Sequence, residues 1–296
     1  MENYRFYDRI VMGLLSPISA ALASKYIYWR AFGKKLNLKT PATFDEKLMW
    51  LKLYKYTNNP LITQCIDKYQ VREYVREHGC EDLLIPLHGC WNKITDLRFD
   101  RLPASFVLKC NHGCGYNIIC PDKSQLDFKA TKKKLQKWMK EDFWLRFAES
   151  NYKDVEKKII CEAYIGTPSQ PVPVDYKFYC FHGKAHYVMV CCERKKVKPK
   201  FYFFDRNWSL QRINPDGLAA PKDFSLPEPQ HLKEMFTYAD KLSGSFPFVR
   251  VDLYDSEIGI KFGELTFTPS AALDTSRLPQ ADALFCDLLK LPRKED

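Results

Sequence analysis

Residues 246–268 read FPFVRVDLYDSEIGIKFGELTFT, and the placement of charge in this stretch decides the fold. Two apolar, β-rich runs, 247–254 and 258–265, straddle a turn near 255–259 and read as neighbouring strands. Arg250 and Asp252 are two residues apart, so strand alternation puts both side chains on one face. Glu264 lies in the second run, twelve residues after the aspartate. With the strands adjacent, Asp252 and Glu264 offer the hard oxygen ligands that Mg²⁺ prefers, and Arg250 a cation for a transferring phosphoryl group. A surface Arg–Asp pair beside an unrelated glutamate fits the same letters.

A second stretch, FVLKCNHGCGYNI at 106–118, reads as a hairpin with a polar tip at 111–115. Lys109 ends the first strand, and Gly113 and Gly115 leave backbone amides that can approach phosphate oxygens because no Cβ blocks them. Neither a Walker A loop nor a dinucleotide fingerprint is present. A third, VDYKFYCF at 174–181, alternates so that Asp175, Lys177 and Tyr179 share a face. That face serves phosphate and ribose, or simply faces water. Hairpins at 105–120, 174–192 and 247–265, mixed with helices at 129–142, 230–243 and 280–290, make the class α+β.

The first hundred residues read mainly as helix. Thr43-Phe-Asp-Glu46 has capping-box spacing, and a second helix is expected over 67–78, closed by Gly79. The chain divides accordingly into a helical region at 1–100, a small subdomain at 101–168 and a larger one at 169–296.

Composition bounds the partners. The chain has 296 residues, 46% hydrophobic and 28% charged, with 46 basic against 36 acidic side chains and a net charge of +10. That excludes a disordered chain and favours anionic partners without choosing among them. Lysines 132–134, 137 and 140 share a helix, and Arg194, Lys195, Lys196, Lys198 and Lys200 crowd a loop; both are solvated faces or contacts for an anionic polymer or headgroup. No nucleic-acid-binding signature accompanies them. The eleven cysteines lie largely in apolar runs with no paired C-x-x-C, so reduced thiols in a cytoplasmic protein are expected, not disulfides or zinc. The apolar segment 10–23 is too short to span a bilayer and contains Pro17. It reads as a packed or interfacial helix, leaving peripheral contact with the inner membrane face open.

The order of a strand-end lysine before a glycine loop, then ICEAYI, R-V-D and E-x-T resembles the ATP-grasp superfamily. More closely, TFDEKLMWLKLY, DKYQVREYV, LPASFVLKCNHGCG, DYKFYCFHGK, FPFVRVDLY and FGELTFTP resemble the TupA-like ATP-grasp family, associated with surface polysaccharide and teichuronopeptide biosynthesis and often labelled glycosyltransferase-like. The resemblance covers about residues 35–290. It implies two α+β subdomains clasping ATP with Mg²⁺. Lys109 would contact the phosphates, and Gly113 and Gly115 would form a mobile lid. Glu162, Tyr164 and Ile165 would be the hinge that reads adenine. Asp175 and Lys177 would face ribose, phosphate or an acceptor carboxylate, with Lys177 and Arg250 catalytic. Asp252, Glu264 and Thr266 would hold the metal, Thr266 standing where many relatives have asparagine. Ser270-Ala271-Ala272 replaces the glycine-rich turn that commonly follows, and no βαβ pattern precedes the core. The activity implied is a carboxylate–amine ligase acting through an acyl phosphate on a uronic acid or amino acid in surface glycan synthesis. A glycan kinase, a glycosyltransferase or a non-catalytic membrane-associated scaffold are the alternatives.

Overall fold

Helix-forming signals open the chain and strands follow. In the computed structural model, which describes residues 6–168, 170–192 and 199–293, the first elements are α1 (Phe6–Ile18), α2 (Ala20–Phe32), α3 (Phe44–Tyr54), α4 (Pro60–Ile66) and α5 (Val71–Glu77). The capping box forms as its spacing predicts: Thr43 Oγ1 accepts from the Glu46 amide, and Glu46 Oε2 accepts from the Thr43 amide, each at 3.2 Å. The helix expected over 67–78 is shorter. Asp67 Oδ1 accepts from the Tyr69 and Gln70 amides at 2.8 and 3.3 Å, an Asx-type turn that holds 67–70 outside the helix and delays its start to Val71. Gly79 follows with a φ of +61°, the left-handed conformation its lack of a Cβ allows. Helix α4, started by Pro60 after the Asn59 cap, was not anticipated.

The strands make two antiparallel sheets. The first, in the order β1-β4-β2-β3, is built from β1 (Leu87–Trp91), β2 (Phe106–Cys110), β3 (Asn117–Cys120) and β4 (Ile159–Ala163), with α6 (Phe128–Lys140) between β3 and β4 in the chain. β1 comes from the stretch read as helical. The second contains β5 (Val174–Phe181), β6 (Lys184–Cys192), β7 (Lys200–Phe204), β8 (Leu210–Gln211), β9 (Phe248–Ser256) and β10 (Gly259–Thr266), in the order β10-β9-β5-β6-β7-β8. Helices α7 (Pro215–Ala219), α8 (Leu232–Ser243) and α9 (Pro279–Leu288) complete the chain. Of the basic loop, Lys200 opens β7, whereas Arg194, Lys195, Lys196 and Lys198 lie outside the described residues.

Each sheet has its own core. Phe106, Leu108, Cys110, Ile159 and Cys161 pack with Leu135 and Trp138 of α6. The larger sheet shares a core with the N-terminal helices. One of its faces, through Phe178, Val249, Val251 and Leu253, lies against α8; the Phe178 and Phe236 rings meet edge-on at 4.9 Å. At one end of the other face Phe248 packs on Phe44 of α3. Further along that same face the side chains become charged.

Candidate active site

Three adjacent strands set one charged row. Glu264 of β10 pairs in register with Asp252 of β9, and Asp252 with Lys177 of β5; Thr266 pairs with Arg250 in the rung beside it. The register depends on an irregularity. Phe262 faces Leu253 and Glu264 faces Asp252, which leaves Gly263 as an extra residue. Without that bulge Glu264 would oppose Val251 and point into the α8 core, because a one-residue slip exchanges the faces of a strand. Glycine suits the bulge, since a Cβ there would meet the Asp252 carbonyl oxygen at 3.0 Å.

Asp252 is 1% exposed and gripped from two sides. Arg250 donates to it through Nε at 2.6 Å and Nη2 at 2.7 Å, and Lys177 Nζ donates to Oδ2 at 2.5 Å. Burial works against its charge, but Arg250 and Lys177 outweigh burial and hold the carboxyl below its ordinary range. Lys177 and Arg250 are likewise opposed by burial yet held above their ordinary ranges by Asp252. Asp175 pairs with Lys177 at 2.6 Å, so it anchors this lysine. Arg250 Nη2 also donates to Thr266 Oγ1 at 3.0 Å and reaches Glu264 Oε1 at 3.4 Å. Glu264, about a third exposed, turns the rest of its carboxylate to the cleft.

The opposite wall comes from the first sheet. Lys109 Nζ donates to Glu162 Oε2 at 2.5 Å, and Arg72 Nη1 lies 3.6 Å from Glu162 Oε1 while donating to the Ile85 carbonyl. The Glu162 side chain is therefore engaged by cations rather than free to act as the expected hinge, and Tyr164 and Ile165 beyond β4 line the adjoining slot. The glycine loop has a fixed stem and an exposed tip. Buried Asn111 donates to Asp67 Oδ1 and the Glu156 carbonyl and accepts from the Lys158 amide. Gly113 packs where a Cβ would strike the Phe143 and Tyr116 rings at 2.8 Å, and Gly115 has a φ of +76°. Only Cys114 and Gly115 of this turn are exposed.

Lys68 joins the two walls. Its Nζ donates to the Gly113 carbonyl at 2.7 Å and stands 3.9 Å from Glu264 Oε2. Lys68 and Arg72 come from the helical region and were not singled out from sequence. Both lie inside the DKYQVREYV stretch that carried part of the family resemblance, which was the available signal.

Two clefts adjoin these groups. One, of about 490 Å³, is a mainly apolar slot between Val107, Ile119, Ile85, Tyr164 and Ile165 with Lys109 at its rim and Tyr254 of the second sheet across it. The other, of about 770 Å³, sets Lys68, Cys114, Arg250, Glu264 and Thr266 among apolar walls that include Phe143, Phe147 and Phe267, then extends to Glu149 and Asn151. Glu149 is buried and accepts from Thr268 Oγ1; burial pushes its carboxyl up from the usual range. Ser270, Ala271 and Ala272 adopt φ of +52°, +57° and +58°. The expected departure from a glycine-rich turn holds, and the backbone here is left-handed without glycine, held by the Ala271 amide on the Thr268 carbonyl at 2.8 Å. Three non-glycine residues in that region store strain beside the pocket.

The donors at the row are all oxygen. Asp252, Glu264 and Thr266, whose hydroxyl lies 3.3 Å from Glu264 Oε1, match the hard ligand type that Mg²⁺ takes. Among the described residues no group of three or more His, Cys, Asp or Glu side chains could hold a metal alone. Of the three donors expected from the sequence, Glu264 and Thr266 line the cleft, whereas both oxygens of Asp252 are taken by Arg250 and Lys177 behind them.

Several solved structures and one family are similar to this chain. Among solved structures, D-alanine–D-alanine ligase from Bacillus anthracis complexed with ATP is 15% identical, with a TM-score of 0.46, covering 76% of this chain and 65% of that one. D-alanine–D-alanine ligase from Helicobacter pylori is 14% identical at a TM-score of 0.46, over 84% and 69%. L-amino acid ligase from Bacillus licheniformis is 12% identical at 0.45, over 86% and 56%. The chain thus spans about two thirds or less of the length of several of these structures. No curated protein matches it. Assignment rests instead on the family described as TupA-like ATPgrasp, whose pattern matches residues 46–290. With that match over most of the chain, and two antiparallel sheets meeting across a lysine-bridged cleft, this α+β protein belongs to the TupA-like ATP-grasp family.

Proposed function

We propose that the chain is an ATP-dependent carboxylate–amine ligase, with ATP and Mg²⁺ as its cofactors and a uronic acid or amino acid of a surface glycan as the carboxylate. The observation that carries this reading is Lys68, which touches the glycine loop and the carboxylate of Glu264 at once. It makes the two walls one site, with the slot beside Lys109 on one side and the pocket holding Arg250, Glu264 and Thr266 on the other.

Adenine takes the slot, against Val107, Ile119 and the backbone at Tyr164 and Ile165. Lys109, Lys68 and the amides around Cys114 and Gly115 receive the phosphates. Glu264, Thr266 and, on release of one Arg250 contact, Asp252 would hold Mg²⁺, which when bound neutralises phosphate charge and polarises the transferred group. Arg250 faces the phosphoryl group as it moves. Lys177, pinned by Asp175, keeps Asp252 ionised and oriented. A substrate carboxylate oxygen attacks the γ-phosphorus, and ADP departs with the bridging oxygen. The amine nitrogen then attacks the acyl carbon; phosphate leaves and an amide remains. Glu149 lines the pocket where that amine arrives, and its elevated proton affinity suits accepting the proton the nitrogen releases.

The test is incubation with ATP, Mg²⁺, a uronate and a mixture of amines. ADP release that requires both acceptors, with free phosphate and an amide as products, is expected. Phosphate retained on the sugar would instead mark a kinase. Sugar transfer without ADP would mark a glycosyltransferase, and nucleotide binding without turnover a scaffold; each contradicts the proposal.

A further inference from the structure

Helices α1 and α2 pack as a pair whose outer side is apolar. On α1, Phe6, Ile10, Leu14 and Ile18 recur every four residues and are 79%, 48%, 66% and 76% exposed; Tyr7 lies beside them, and Leu22 and Trp29 of α2 extend the surface. Four-residue spacing places these side chains on one stripe. The inner side of α1 is already used. Met12 is in the core, and Ser16 Oγ donates to the Leu145 carbonyl at 3.1 Å. A stripe of this size facing water marks an interaction surface.

Charge selects the occupant. Asp8 is the single acidic residue from 6 to 44, and it is turned inward, 1% exposed, accepting from Tyr26 Oη and Arg30 Nε at 2.8 Å each. No carboxylate of the helix pair therefore faces outward. Arg9, Lys25, Lys34 and Lys35 do face solvent, next to the stripe and the Trp29 and Tyr7 rings. An apolar ridge with aromatic margins, flanking cations and its one acid withdrawn is complementary to an anionic bilayer surface. A second copy of the same cationic surface would meet repulsion.

We propose that the α1–α2 pair seats on anionic phospholipid, lying in the plane of the headgroups with the Phe6–Ile18 stripe in the acyl boundary. None of the described helices is long and apolar enough to cross a membrane, so the contact is peripheral. Leu145, which holds Ser16, belongs to the turn Phe143–Arg146, and Phe143 lines the pocket that holds Arg250 and Glu264. Seating this pair therefore brings the acceptor pocket close to the membrane, where an acceptor carried on a lipid anchor would be presented; this last consequence alone rests on the ligase reading.

Sedimentation of the whole chain with extruded vesicles tests the proposal without requiring turnover. Vesicles of phosphatidylcholine with roughly one-third phosphatidylglycerol should carry the protein down, and phosphatidylcholine alone should not. Added salt should release part of it. Leu14→Asp should lower the bound fraction about tenfold, as should Arg9→Glu combined with Lys25→Glu. Both variants alter exposed side chains, so their melting temperatures and solution ATP turnover should match the parent. Absence of binding to the anionic vesicles overturns the proposal, as does undiminished binding by Leu14→Asp. So does a parent dimer that Leu14→Asp converts to monomers without any vesicle binding, because a second copy would then cover the stripe.

Discussion

Glu264 carries the sharpest residue-scale expectation. It is the carboxylate of the row that faces the cleft, about a third exposed, and its removal orphans no fully buried partner. Glu264→Gln should lower ATP-dependent turnover by about a hundredfold or more while the melting temperature stays put. Steady-state rates with saturating substrates and a thermal melt check this together. Lys109→Ala should weaken nucleotide binding about tenfold by calorimetry, since it removes a phosphate cation. Glu149→Gln should lower kcat at saturating amine by about tenfold or more and leave the KM for ATP unchanged; a change confined to ATP would place Glu149 elsewhere in the reaction. Arg250, Asp252 and Lys109 were legible in the sequence because each sits in or ends a short apolar run, where alternation fixes the face. Lys68 and Arg72 were not, because a helical stretch without a phosphate motif gives no hint that tertiary packing will bring it to a strand end.

At the scale of elements, the bulge at Gly263 decides whether Glu264 reaches the site at all. Gly263→Val crowds the Asp252 carbonyl and favours unbroken pairing, which should turn Glu264 toward Val251 and the α8 core, burying a carboxylate among apolar side chains. Turnover should fall as far as in Glu264→Gln, but here with a loss of stability of about 2 kcal/mol or more, read by chemical denaturation. Equal stability of Gly263→Val and Glu264→Gln would mean the strand re-registers without cost. Adjacency of these two strands was readable from their alternation and turn; the bulge was not, because FGEL is equally compatible with unbroken pairing. β1 escaped notice for a related reason. Its LHGCW has no apolar alternation and slips register between Leu87 and Gly89, with the Trp91 ring occupying the space a Cβ at Gly89 would need. The hairpins at 106–120 and 174–192 carried clear strand and turn chemistry and formed where expected.

The whole molecule is tied together by contacts remote in sequence. Arg277, after the last strand, lies over the Phe44 ring at 4.8 Å and pairs with Asp45 of the capping-box helix. Burial pushes the Asp45 carboxyl up to about 6, against the pull of Arg277. Arg277→Ala leaves that carboxylate buried and unpaired, so stability at neutral pH should drop by about 3 kcal/mol. The pH dependence has a definite sign. A carboxyl whose folded pKa exceeds its unfolded value of 3.8 binds its proton more tightly in the folded state. Its stabilising contribution is complete below that value and is lost as pH rises through the folded pKa. Without Arg277 the folded Asp45 carboxyl holds its proton more tightly still, so the deficit of Arg277→Ala should grow as pH rises above about 6 and level off below it, where both folded proteins carry the protonated carboxyl; denaturation midpoints on either side of that value check it. Such a tie joins residues 232 positions apart and leaves no periodic trace in sequence.

A crystal structure with a non-hydrolysable ATP analogue and Mg²⁺ bears most directly on the shared cleft. It should show adenine between Ile119 and Tyr164, phosphates between Lys109 and Lys68, and the cation on Asp252 and Glu264. A nucleotide bound away from the Glu264–Asp252–Lys177 row, or phosphates that contact one sheet and never the other, would contradict it.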